Sequence, residues 1–87
     1  MLDWEMTGYI LTSKHRTNLI RCLKKPKTVM QLATELNVER SVVYKAVNEL
    51  LSAGAVMDFD KNKKRNKLFV ATEEGIEAID SIDARDI

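Results

Sequence analysis

Between residues 40 and 52 of this 87-residue chain, Ser41, Lys45, Asn48 and Ser52 recur at three- and four-residue spacing. Arg40 precedes them, Val42 lies beside them and Tyr44 at their boundary. On a helix this spacing puts them on one side, opposite Val43, Val47, Leu50 and Leu51. A merely solvated face would be served equally well by Glu and Lys. Short hydroxyl and amide side chains together with Lys and Arg are what base edges and phosphate oxygens require. Further on, Lys61, Lys63, Lys64, Arg65 and Lys67 place five positive charges within seven residues. Self-repulsion in so short a loop costs stability, and a phosphate backbone would relieve it. The plain alternative is a solvated turn whose charges guard strand edges against aggregation.

The elements that must position these residues are legible around them. Thr28-Val29-Met30-Gln31 has the form of a capping box, so a helix is expected to start at Thr28 and run to about Leu36. Met30, Leu32, Ala33 and Leu36 are its apolar positions. Asn37 tolerates the left-handed conformation that a sharp turn after a helix needs, and Val38 is an apolar plug in that turn. A second helix is expected from Glu39 or Arg40 to Ala53, ended by Gly54. Ala33 and Ala46 offer each helix a small residue for a close crossing.

Upstream, Ser13 is a plausible N-cap for a helix within residues 10–25. Its inner face is Leu19, Ile20 and Leu23, with Cys22 beside it and Pro26 as the stop. Cys22 reads as a small apolar side chain, because redox sensing would require an exposed thiolate. His15 reads as solvated. Lys24, Lys25 and Lys27 suit either a helix C-terminus or phosphate contact beside the next helix. Leu2, Trp4, Met6, Tyr9 and Ile10 make the N-terminus too apolar for a free tail, and core closure or contact with a second subunit is expected of it. Downstream, residues 55–60 and 67–72 read as antiparallel strands, with Asn62 and Asn66 suited to the turn between them. Thr72 caps a last helix with Glu73 and Glu74 in its first turn. Ile76 and Ile79 are expected in the core, Ile82 at the margin, and fraying by Asp83.

Composition bounds the function. Residues 1–72 hold 13 Lys and Arg against 7 Asp and Glu, whereas residues 73–87 hold 1 against 6. A basic body with an acidic tail suits a nucleic-acid partner, with the tail turned away from it. One Cys and one His support neither a disulfide framework nor a metal cluster. His15 and Cys22 lie near opposite faces of one helix, no glycine-rich phosphate loop occurs, and paired carboxylates stand only on the solvated tail. No catalytic residue and no cofactor are therefore expected. No apolar run approaches a membrane span and no leader pattern is seen, so a cytoplasmic, unanchored domain is expected.

The segments QLATELNVERSVVYKAVNELLSAGAV and KLFVATEEG, with the basic hairpin between them, resemble winged helix-turn-helix transcriptional regulators of the MarR-like and ArsR-like kind, including small archaeal members. The resemblance implies an α+β, mainly α fold with a three-helix core, a β-hairpin wing and a C-terminal helix. A single domain would span residues 1–87. The helix-turn-helix would fall at about 28–54, the wing at about 55–72 and the last helix at about 73–83. It also implies sequence-specific binding of double-stranded DNA, with the second helix of the motif in the major groove. The reading residues would be Arg40, Ser41, Val42, Tyr44, Lys45 and Asn48. Lys27, Thr28 and Gln31 would meet the backbone, as would Lys61, Lys63, Lys64 and Arg65 of the wing. Terminal helices often dimerise such proteins, so a homodimer through the N-terminal segment and C-terminal helix is open. Glu39 departs from the pattern, which usually has a small N-cap such as Ser. The competing reading is a winged helix used as a protein-interaction module in a larger assembly. RNA binding is weaker, since the wing lacks aromatics for stacking on unpaired bases.

Overall fold

The computed structural model describes residues 8, 10, 13–62 and 64–85. Trp4, Tyr9 and Lys63, singled out above, lie outside these residues. Helix α1 spans Lys14–Cys22 and begins where Ser13 accepts a hydrogen bond from the Arg16 N–H. Helix α2 spans Val29–Leu36. Its capping box is complete: the Gln31 N–H donates to Thr28 Oγ1 at 3.1 Å, and the Thr28 N–H donates to Gln31 Oε1 at 2.8 Å. Such a cap contributes about 0.5–2 kcal/mol. Asn37 then turns left-handed at φ 54°, and the Val38 N–H closes back on the Ala33 carbonyl. Helix α3 spans Arg40–Ala53 and ends at Gly54, also left-handed at φ 81°.

Strands β1, Val56–Asp58, and β2, Phe69–Ala71, pair antiparallel with Val56 opposite Ala71 and Asp58 opposite Phe69. They are shorter than the expected runs, because the residues beyond them are drawn into turns and caps. The Phe59 N–H still reaches the Leu68 carbonyl. Across its other edge β2 exchanges two backbone hydrogen bonds with Lys27, and the Ala71 N–H donates to the Leu23 carbonyl. The wing is thereby tied to the segment between α1 and α2. Helix α4 spans Glu73–Arg85. The Thr72 hydroxyl donates to the Gly54 carbonyl at 2.7 Å and accepts from the Gly75 N–H at 3.1 Å, joining the start of α4 to the end of α3.

The core is continuous through all of these elements. Leu19, Ile20 and Leu23 meet Leu32, Val43, Val47 and Leu50, closed by Ile79 and Ile10. Each such side chain contributes about 1.5–3 kcal/mol on burial. Three expectations are corrected. Met30 is 59% exposed and Val29 takes its place in the core, because the packing of α2 turns the helix towards the other of two adjacent apolar residues. Ile82 is buried whereas Ile76 only packs against the core edge, since α4 crosses α1 nearer its C-terminal end. Helix α4 also persists beyond Asp83, whose carboxylate is held by Arg21 of α1. No described helix is long and apolar enough to cross a membrane.

Gly75 shows how closely α4 is seated. A Cβ there would overlap the backbone carbonyl of Ala55. Gly75→Ala is therefore expected to lose about 1–3 kcal/mol, despite the better helix propensity of Ala. Urea unfolding of the two proteins measures this, and an unchanged or raised midpoint would contradict the packing of α4 on Ala55.

Candidate nucleic-acid interface

Helix α3 presents the polar side that its spacing predicts. Arg40, Ser41, Val42, Tyr44, Lys45 and Asn48 are all exposed, while Val43, Ala46, Val47 and Leu50 are buried beneath them. The depth of α3 is set by the core and its edge by an ion pair that sequence spacing did not reveal. Arg16 Nη2 of α1 lies 2.6 Å from Glu49 Oε2, with the arginine side chain mostly buried. Glu49 is the one acidic residue within α3. That isolation, at the border of the apolar stripe, is the signal that could have marked it. Glu39 occupies the N-cap position and makes no side-chain capping bond, consistent with a carboxylate that is too long to cap well.

Thr28 and Gln31 are both engaged in the capping box, yet each keeps donor capacity. The Thr28 hydroxyl accepts there, so its proton remains free, and Gln31 uses its amide oxygen, so its NH₂ remains free. Lys27 is differently placed. Its Nζ lies 2.7 Å from Glu35 Oε2, and this hydrogen bond holds the Glu35 carboxyl below the ordinary carboxylate range. The pair is intact above the ordinary glutamate value of 4.5 and is lost only as pH falls through the depressed one. Burial pushes the neighbouring Cys22 thiol up, opposed by Lys27 and reinforced by Glu35, which disfavours a reactive thiolate.

In the wing, the Asn62 N–H donates to Asp60 Oδ1 and Asn66 is left-handed at φ 49°. Lys61, Lys64, Arg65 and Lys67 are exposed around these turns. The wing, the start of α2 and the N-terminal half of α3 enclose a cleft of about 220 Å³. Arg40, Tyr44, Lys64 and Thr28 are among its lining residues, so three separate stretches of the sequence converge there.

The distribution of ion pairs divides the molecule. Arg16–Glu49, Arg21–Asp83, Lys24–Asp80 and Lys27–Glu35 tie the cations of α1 and of the segment after it to acids of α2, α3 and α4. Arg40 and Lys45 of α3 have no carboxylate partner among the described residues. Neither do Lys61, Lys64, Arg65 and Lys67 of the wing. Lys14 and Lys25 likewise have none among the described residues. Thus Asp83 and Asp80 of the acidic tail offset Arg21 and Lys24, and among the described residues the unpaired positive charge concentrates on α3 and the wing.

The family model described as "Sugar-specific transcriptional regulator TrmB" matches residues 13–73. No curated protein matches the sequence. Among solved structures, the MarR family transcription regulator SP03579 superposes with a TM-score of 0.79 at 19% identity, over 94% of this chain and 56% of that one. The homodimeric winged helix-turn-helix DNA-binding domain of Mb0332 from Mycobacterium bovis, described as a possible ArsR-family transcriptional regulator, also gives 0.79. There the identity is 14%, over 94% and 76% of the two chains. The transcriptional regulator Tm0710 from Thermotoga maritima gives 0.74 at 22% identity, over 91% and 61%. The fold is thus the winged helix of MarR- and ArsR-family regulators. The chain spans little more than half the length of SP03579 and Tm0710.

The Lys27–Glu35 pair yields a test at neutral pH. Glu35→Gln removes the negative charge from beside Lys27. Affinity for any duplex is expected to rise and the salt slope to steepen by about one unit, if the released ammonium takes up a phosphate. Fluorescence anisotropy at several salt concentrations reads both quantities. Identical slopes for the two proteins would place Lys27 off the path of the nucleic acid.

Proposed function

The chain belongs to the TrmB family of transcriptional regulators, and from that premise we propose that it is a sequence-specific double-stranded DNA-binding protein. Helix α3 lies in the major groove. Arg40, Ser41, Val42, Tyr44, Lys45 and Asn48 face the base edges, while Thr28 and Gln31 meet the phosphates flanking the groove. Lys61, Lys64, Arg65 and, outside the described residues, Lys63 bring the wing to the adjacent backbone. Lys27 joins them by exchanging Glu35 for a phosphate. Family and fold are those of transcriptional regulators rather than enzymes.

The observation that carries this reading is the segregation of charge. Arg16 and Arg21 of α1 and Lys24 after it have carboxylates beside them. The cations of α3 and the wing lack such partners among the described residues, and Arg40, Lys64 and Lys67 line one cleft. Unpaired cations on two adjoining elements repel each other, and a polyanion laid across both removes that repulsion while releasing its counterions. Mb0332 is described as homodimeric. For this chain a second copy would meet the N-terminal segment and the polar remainder of α4, because Ala78, Ile79 and Ile82 are already buried in the core. Two copies would place two α3 helices on successive half-sites.

Base reading separates from backbone contact by mutation. On a site enriched from a randomised duplex library, Arg40→Ala and Asn48→Ala are each expected to cost about 1–3 kcal/mol and to relax sequence preference. On unselected duplex the loss should be smaller. Equal losses on enriched and unselected DNA would assign these residues to the backbone, and unchanged affinity on both would remove α3 from the interface.

A further inference from the structure

Met30 and Tyr44 are left unexplained by phosphate contact alone. Both are large and apolar in part, both are exposed, at 59% and 54%, and both line the cleft between α2, α3 and the wing. Met30 occupies an apolar position of α2 that could have entered the core, and it faces water instead. Around the two stand Arg40, Lys64 and Lys67, none with a carboxylate partner among the described residues, and behind them lies the buried ring of Phe69. The cleft therefore alternates chemistry: cations at its rim, thioether and aromatic surface between them.

One strand of DNA alternates in the same way. Phosphates are separated by deoxyribose rings, which expose apolar carbon at the position where RNA carries a hydroxyl. The cleft, at about 220 Å³, is several times the roughly 30 Å³ share of a liquid water. It exceeds the needs of a single ion and lies between the N-terminal half of α3, the start of α2 and the wing. We propose that this cleft seats one phosphate–deoxyribose–phosphate stretch of the DNA backbone. Met30 is the residue that selects deoxyribose over ribose. This rests on the DNA-binding reading above and goes beyond it by naming the sugar as a recognised group. A ribose 2′-hydroxyl against Met30 would lose water and find no strong partner there, and the 2′-hydroxyl is the group by which proteins tell RNA from DNA. An unpaired hydroxyl costs about 1–3 kcal/mol, so roughly fivefold or more in affinity.

The test uses a labelled mixed-sequence DNA duplex and the same duplex with isolated ribonucleotides spaced along both strands. Spacing them singly keeps the duplex close to B-form while adding 2′-hydroxyls. The wild-type protein is expected to bind the substituted duplex about fivefold more weakly or worse. Met30→Gln, of similar length but able to hydrogen-bond a hydroxyl, should narrow that ratio to under about twofold. Met30→Leu, apolar like the original, should keep it. Met30 is exposed, so neither substitution disturbs the core. Equal wild-type affinity for the two duplexes, or the same ratio in Met30→Gln and Met30→Leu, would overturn the proposal. Failure of the wild-type protein to bind either duplex at low salt would instead overturn the DNA-binding reading beneath it.

Discussion

The turn at Asn37 is the constraint on which the rest of the molecule depends. One left-handed residue after α2 redirects the chain so that α3 packs across α2 rather than continuing it. The Val38 N–H, bonded to the Ala33 carbonyl, and the packing of Val38 on the core leave the turn little freedom. From this crossing follow the burial of Val43, Val47 and Leu50 and the exposure of Ser41, Lys45 and Asn48. The apolar side of α3 and its polar side are two consequences of one angle. A β-branched residue at position 37 could not adopt that backbone without strain, whereas Asn does so readily.

The second organising feature is electrostatic. The wing is not an independent hairpin, because β2 is bonded on one edge to β1 and on the other to Lys27. Through Lys27 the wing is held against the start of α2, and through Thr72 and Gly54 against the end of α3. The basic loop therefore projects from a base that is fixed relative to α3. Arg16–Glu49 fixes the far side of α3 against α1. Acids of α4 engage Arg21 and Lys24, so part of the charge of the body is offset on that side. A nearly neutral chain thus carries a strongly cationic face.

What was legible in the sequence was local. The capping box at Thr28 and Gln31, the left-handed Asn37 and Gly54, and the Thr72 cap each depend on a few neighbouring residues, and each is found as expected. The MarR- and ArsR-like fold followed from the order of these parts. Periodicity alone could not decide between Val29 and Met30, because they are adjacent apolar residues on a short helix and tertiary packing determines which is covered. Nor could it show that Arg16 meets Glu49, or Arg21 meets Asp83, since those partners lie 33 and 62 residues apart. The uneven charge of the two ends was visible, but not that acids of α4 would pair with Arg21 and Lys24 and leave the described cations of α3 and the wing without carboxylates. The cleft was invisible for the same reason, being assembled from three distant stretches.

The central claim is that the unpaired cations of α3 and the wing form a surface for the DNA backbone. Its most direct test is fluorescence anisotropy of a labelled random-sequence duplex, titrated with protein at about 50 and 200 mM salt. The account predicts binding at the lower concentration and a steep loss at the higher one, with a log–log slope near −0.9 for each phosphate engaged. Absence of binding at low salt, or an affinity indifferent to salt, would contradict it.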